Sequence, residues 1–272
     1  MNVIHPLGLT PMAESLSPLT PNQRQSDVLD EVRRQGSISI EALAERFGVT
    51  LQTVRRDVKL LAGSGLLARF HGGVRLPAST TENTTYRHRE ALHADAKQRI
   101  ARLVASRIPK GSSLLINLGT TTEAVARALL QHQGLRVITN NLNVAAILAD
   151  NPHCEVIVTG GLVRHSDRGI VGAAAVDLIR QFKVDIALMG ISGIESDGTL
   201  RDFDYREVHV SRAIIEQSHE VWMVADSSKF NRAAMIEVAR VEQLDVLFTD
   251  APPPDPFPAL FEQAGVRVDV AA

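Results

Sequence analysis

"LQTVRRDVKLLAGSGLLARFHGG", residues 51–73, spaces aliphatic side chains at helical intervals, sets Arg55, Arg56 and Lys59 among them and ends on a Gly-Gly pair. At 100° per residue Leu51, Val54, Val58 and Leu61 fall within one sector of about 80°, the stripe that a helix buries. Arg56 then points away from that stripe. Gln52 and Lys59 lie beside it, Thr53 is near by, and Arg55 and Asp57 take the two flanks. Long cations with amide and hydroxyl groups are what a DNA major groove accepts: guanidinium for guanine O6/N7, amide for adenine, cations for phosphate.

Working outward, residues 22–35 and 39–47 form two more short helical patterns, with stripes Val28-Leu29-Val32 and Ile40-Leu43-Ala44-Phe47. Between the second pattern and the third lies "GVT". Gly48 can take the left-handed conformation that ends a helix, and Thr50 can cap the next one. Two helices joined by so tight a turn make a helix-turn-helix candidate. Downstream, "GLLARFHGGVRLP" is a strand, a tight turn and a second strand, with Arg69 and Arg75 on the hairpin and His71 beside its turn. Such a hairpin behind a recognition helix is a wing. A solvated basic helix with a capping hairpin is the plainer alternative, but the order of turn, basic face and wing favours the reader. The expected contacts to double-stranded operator DNA are Thr50, Gln52, Thr53, Arg55, Arg56, Lys59, Arg69, His71 and Arg75.

Composition is compatible with this without announcing it. The 272 residues carry a formal charge of −2 and are 44% hydrophobic, enough for a small module and a larger one. Charge is uneven: Arg24 to Arg75 holds nine basic and six acidic residues, a formal +3, so the remainder carries −5. A nonspecific architectural DNA binder would carry a stronger basic balance. The lone Cys154 excludes an internal disulfide framework and suits a reducing, cytoplasmic setting; in "CEVIVTGG" it is expected to act as a small buried hydrophobe. No apolar run approaches the roughly 18 residues of a membrane span. Residues 1–21 lack a basic start and are broken by prolines, so they are expected to be a disordered extension rather than a secretory signal, with Met12 an alternative start to Met1.

The expected organisation is a winged helix-turn-helix at 22–76, a polar, hydroxyl-rich linker at 77–92 and an α/β domain at 93–272. In the last, Val/Ile/Leu-rich runs such as "SLLINLG", "LRVITNN" and "VDIALMGISG" alternate with helical segments, the pattern of a mostly parallel sheet covered on both faces. "INLGTTTEAVA" places Gly119, Thr120, Thr121 and Thr122 between a strand and a helix, where backbone N–H groups and the helix dipole favour an anion. Thr120 to Glu123 also has capping-box spacing. The residues alone leave a phosphate loop and an ordinary helix start both open.

From "RQSDVLDEVRR" through "TLQTVRRDV", "NLGTTTEAVARALL", "VITNNLNVA", "TGGLVR", "GISGIESDGTLRDFDYREV", "ADSSKF" and "FTDAPPP", the chain resembles the DeoR family of bacterial transcription regulators over nearly everything after residue 22. "TNNLNVA" and "FDYREV" resemble the glycerol-3-phosphate-responsive branch most. The resemblance implies a sensor domain like the sugar-phosphate isomerases, no cofactor, and glycerol 3-phosphate or a related sugar or polyol phosphate as effector. It implies pocket roles for Gly119 to Thr122, Asn140, Asn141, Gly160, Gly161, Asp204, Glu207 and Lys229. Each also has a plainer role: turn or cap for the Asn pair, chain turn for the glycines, first-turn acid for Glu207, loop cation for Lys229. The family's usual acid at position 117 and lysine at 211 are Asn117 and Ser211 here. The expected activity is repression by a homodimer or homotetramer; the rival is an isomerase-like enzyme with Glu207 as base and Lys229 as anchor.

Overall fold

A computed structural model describes residues 21–35, 37–64, 66–70, 72–75, 80, 83 and 85–272. The expected disorder of the first twenty residues, and His71, lie outside the described residues. The chain divides into two compact units, one ending at Pro77 and the other Ala78–Ala272.

In the smaller unit α1 (Gln23–Gln35), β1 (Ser37–Ser39), α2 (Ile40–Phe47) and α3 (Leu51–Gly63) precede a hairpin of β2 (Ala68–Phe70) and β3 (Gly73–Arg75). The expected caps are present. Gly48 ends α2 at φ 62, and the Thr50 hydroxyl caps α3 by accepting from Thr53 N. Val28, Leu29 and Val32 meet Leu43, Val54, Val58 and Leu61 in one core. β1, which the sequence pattern did not announce, pairs antiparallel with β3 and completes a three-stranded sheet of order β1-β3-β2. A Cβ at Gly73 would lie 2.9 Å from the Ile38 carbonyl, so the close approach of β1 to β3 favours glycine there.

Two residues of α3 depart from the helical wheel. Leu51, expected in the buried stripe, is 40% exposed; it opens the helix, a turn before α3 enters the core with Val54. Asp57, expected on a flank, is 4% exposed. It accepts from Arg24 Nε at 2.6 Å and Gln25 Nε2 at 3.2 Å, both on α1. Asp57→Ala strands those donors and is expected to cost about 1–2 kcal/mol; faster hydrogen exchange of α3 amides would report it, and unchanged exchange would refute it.

The larger unit opens with α4 (Tyr86–Ala91) and α5 (Ala94–Arg107). Two strand–helix steps and a third strand follow: β4 (Ser113–Ile116), α6 (Thr120–Ala128), β5 (Leu135–Thr139), α7 (Leu142–Leu148) and β6 (Cys154–Val158). A short hairpin, β7 (Leu162–Val163) and β8 (Ile170–Val171), leads to α8 (Ala173–Ile179) and β9 (Val184–Gly190). Then come β10 (Gly193–Ile194), β11 (Thr199–Asp202), α9 (Tyr205–Glu216) and β12 (Ser218–Val224). β13 (Ile236–Arg240), β14 (Val246–Thr249), α10 (Phe257–Ala264) and β15 (Arg267–Val270) complete it.

Seven of these strands form one parallel sheet in the order β15-β14-β12-β9-β4-β5-β6. Period two explains why their sequences are apolar throughout. Leu114, Ile116, Ile186, Leu188, Trp222 and Phe248 enter the core under α5, α6 and α7. Their strand neighbours Leu115, Ala187, Met189, Met223 and Leu247 enter the other, with residues of α8, α9 and α10. A small antiparallel sheet, β10-β11-β13, is an addition to the expected architecture. So is α4, within the stretch read as linker; it is held by polar contacts rather than by an apolar stripe.

Candidate functional site

On α3, Gln52, Arg55, Arg56 and Lys59 are all exposed and recur at intervals of three or four, which puts them on one side of the helix opposite Val54, Val58 and Leu61. Thr53 is half-buried, and Thr50 and Thr53 bring their hydroxyls within 2.9 Å of each other. Their first task is to cap α3. Arg69 is exposed on β2, and Arg75, half-buried on β3, pairs across from Ala68.

The second candidate site follows from the sheet order. The chain moves from β4 to β5 to β6, then returns to the far side of β4 to lay down β9. Helices change faces there, so the carboxyl ends of β4 and β9 mark the switch point, the position where open α/β sheets receive ligands. Gly119 and Gly190 meet there. Gly119 holds φ 149, and a Cβ on Gly190 would come within 3.1 Å of the Leu118 carbonyl. Gly119 serves as N-cap of α6 without any side-chain cap, so the capping-box alternative for Thr120 and Glu123 is not what forms.

The candidate residues divide into two groups. Thr122 donates to the Asn117 and Gly119 carbonyls (2.9 and 2.8 Å). Thr121 is buried on the same turn. Asn140 donates to the Ile170 carbonyl at 3.2 Å, and its own Oδ1 has no donor among the described residues. Asn141 caps α7. Gly160 and Gly161 are exposed; a Cβ on Gly161 would lie 2.7 Å from the Val171 carbonyl, so it serves the turn into β7.

Thr120, Asp204, Glu207 and Lys229 instead belong to a charged cluster, most of whose members the sequence reading missed. Arg164, in the turn between β7 and β8, binds Asp167 of that turn and reaches Asp204 (2.8 Å) and Glu207 (2.5 Å) at the start of α9. Burial, then the nearby Asp202 carboxylate, push the Glu207 carboxyl up to about 8 despite Arg164. Burial alone would raise Asp204 as well, but hydrogen bonds from Arg206 and Arg164 hold it well below the usual carboxylate range. Burial pulls Lys229 down to about 8; Asp226 opposes this, while Arg232, Arg89 and Lys97 add to it. Arg89 lies 4.0 Å from Asp167 and so links the cationic and anionic sides. Lys97 had left a signal in the sequence: it shares the stripe of Ile100, Ala101 and Val104 on α5, where a cation is out of place unless something meets it.

Asn117 and Ser211, the two positions at which the resemblance implied an acid and a base, meet directly. Asn117 Nδ2 donates to Ser211 Oγ at 2.9 Å, with both residues buried. The two make a neutral hydrogen-bonded pair inside the core. Among the described residues no group of His, Cys, Asp and Glu could hold a metal ion, and no helix is long and apolar enough to cross a membrane. Cys154 is half-buried with its thiol pushed up by burial, the opposite of an activated nucleophile.

A winged helix-turn-helix joined to an α/β unit with a charged crevice at its switch point defines a ligand-responsive DNA-binding regulator. Residues 24–80 match the DeoR-like helix-turn-helix domain, and residues 92–251 match the DeoR C-terminal sensor domain. The chain belongs to the DeoR family of transcriptional repressors. It is 49% identical over 232 residues to the glycerol-3-phosphate regulon repressor of Escherichia coli (strain K12), covering 85% of this chain and 92% of the relative. To the protein of the same name from Haemophilus influenzae it is 44% identical, covering 83% and 88%. To the HTH-type transcriptional repressor CsqR of Escherichia coli (strain K12) it is 39% identical, covering 93% and 97%. Among solved structures, ribose 5-phosphate isomerase A from Methanocaldococcus jannaschii aligns with a TM-score of 0.38 at 14% identity, over 50% of this chain and 54% of that one.

Proposed function

We propose that this chain represses a glycerol or related carbohydrate catabolic regulon, and that glycerol 3-phosphate or a closely similar polyol phosphate releases it from operator DNA. The observation that carries the reading is the pairing, in one crevice, of a cationic side and an anionic side. Lys97 and Thr120 converge on one Arg89 carbonyl, and Lys229 is near enough to Lys97 and Arg89 to feel their charges, a set suited to a phosphate dianion; Asp204 and Glu207 can accept from hydroxyls. The name of the relatives at 49% and 44% identity supports the choice of polyol. No step of this role calls for catalysis or a cofactor, and the setting is cytoplasmic. A homodimer or homotetramer would place two α3 helices in successive major grooves of a pseudo-palindromic operator, about 34–36 Å apart. Gln52, Arg55, Arg56 and Lys59 read the groove, with Arg69 and Arg75 on the wing.

The test is a titration of operator duplex, selected by the protein from a random pool, with and without saturating glycerol 3-phosphate. A hundredfold loss of operator affinity corresponds to about 2.7 kcal/mol of coupling, and operator must weaken ligand binding by the same factor. Unchanged affinity at saturating ligand removes this effector.

A further inference from the structure

α4 lies between the two family domains, after residue 80 where the first match ends and before residue 92 where the second begins. Its six residues, YRHREA, carry no apolar stripe, and so short a helix does not persist alone in water. Polar fastenings hold it; apart from Glu90, which lies 3.8 Å from Arg127 at the far end of α6, those described run to the effector crevice. At one end Tyr86 donates to Glu123 at 2.5 Å, and Asn143 donates to the Tyr86 hydroxyl and to the second Glu123 oxygen, both at 3.0 Å. Glu123 is buried on the first turn of α6, the turn that begins at Thr120.

At the other end, the carbonyls that a helix leaves over are taken by the crevice. The Lys97 ammonium donates to the Arg89 carbonyl and, at 2.7 Å, to the Leu92 carbonyl; the Thr120 hydroxyl lies 3.5 Å from the same Arg89 oxygen. Lys97 and Thr120 are also the donors that a phosphate in the crevice would use. An ionised phosphate oxygen is the stronger acceptor, because its hydrogen bonds are charge-assisted. Burial already disfavours the Lys97 ammonium, with Asp226, Glu123 and Glu90 opposing it, and a further negative charge beside it would favour the ammonium more.

We infer that α4 is a strap displaced by the effector: a bound phosphate draws Lys97 and Thr120 away from the Arg89 and Leu92 carbonyls, and the carboxyl end of α4 loosens. The Tyr86 latch keeps the other end on Glu123. The fastened strap is the operator-binding form, and its release is the first event between ligand and DNA. This rests on the effector reading above.

Hydrogen exchange on the full chain with glycerol 3-phosphate tests it, alongside Tyr86→Phe, which keeps the ring and drops the hydroxyl. Residues 86–92 are expected to exchange faster with ligand while residues 120–123 exchange more slowly, against the usual rule that a ligand slows everything near it. Tyr86→Phe, which frees the end that the ligand leaves fastened, should bind glycerol 3-phosphate within about twofold of the wild type, start with weaker operator affinity, and, with no anchored strap left to loosen, lose at least about tenfold of the ligand's further effect. If ligand binds but slows exchange across α4, and Tyr86→Phe retains full coupling, the strap is wrong and the effector reading stands. If calorimetry finds no binding of glycerol 3-phosphate to the wild type, the effector reading falls and the strap with it.

Discussion

Arg164→Ala is expected to destabilise the α/β unit by about 3–5 kcal/mol at pH 8, because it leaves buried carboxylates without their shared cation. The Arg164 side chain is 12% exposed and ties Asp167 on its own turn to Asp204 and Glu207 on α9. Unfolding followed by fluorescence isolates the effect, since the chain's single tryptophan, Trp222, is buried in β12. The loss should shrink at pH 5. Glu207 moves from its ordinary 4.5 up to about 8 on folding. A carboxyl raised in this way contributes stability that is complete below 4.5 and is lost as pH rises through 8. Asp204, held low, has the opposite sign, and its contribution fades only as pH falls below the ordinary carboxylate range. In acid the site therefore sheds one negative charge through Glu207, and the missing guanidinium matters less. Glu207→Gln should flatten the decline of wild-type stability between pH 5 and 8. Equal losses at both pH values for Arg164→Ala would refute this account of the cluster.

Arg56→Ala is expected to weaken operator binding by about 1–3 kcal/mol and relax preference at a single base pair, leaving the fold intact. Arg56 is exposed, on the side of α3 opposite Val54 and Val58, so truncation removes no core contact. Lys59→Ala, as a phosphate contact, should instead weaken operator and random duplex alike and reduce the salt dependence. Competition at fixed, stated salt separates the two. Equal losses for Arg56→Ala on both duplexes would make it a backbone contact and move base reading to Gln52 or Arg55.

What could be read in the sequence had local causes. Gly48 and Thr50 announce the turn between α2 and α3 because each has a backbone conformation or a capping hydroxyl written into its residue type. The parallel sheet shows through Leu114 to Ile116 and Ile186 to Met189 because apolar residues on both pleat faces have few alternatives. The β10–β11 hairpin was missed although "SDG" signals it; Gly198 sits at φ 83 in a turn closed by Glu195 N to Thr199 O at 2.9 Å. Its two-residue first strand was too short to show alternation. The charged cluster was the least legible part. Arg164, Asp204 and Glu207 are separated along the chain, and only the folding of the β7–β8 turn onto α9 unites them. α4 escaped for the same reason: Tyr86 finds Glu123, 37 residues on, only after α6 has packed.

The placement of β9 beside β4 carries a kinetic consequence. Ser113 and Asp185, which clasp each other across that boundary, are 72 residues apart in the chain. Pairing these two central strands closes the chain between them as a long loop, and the entropy of that closure weighs on the folding rate. The helical headpiece, built from neighbours in sequence, bears no such burden. On a ribosome it also emerges first, and a nascent chain would carry a formed reading head well before its ligand crevice exists.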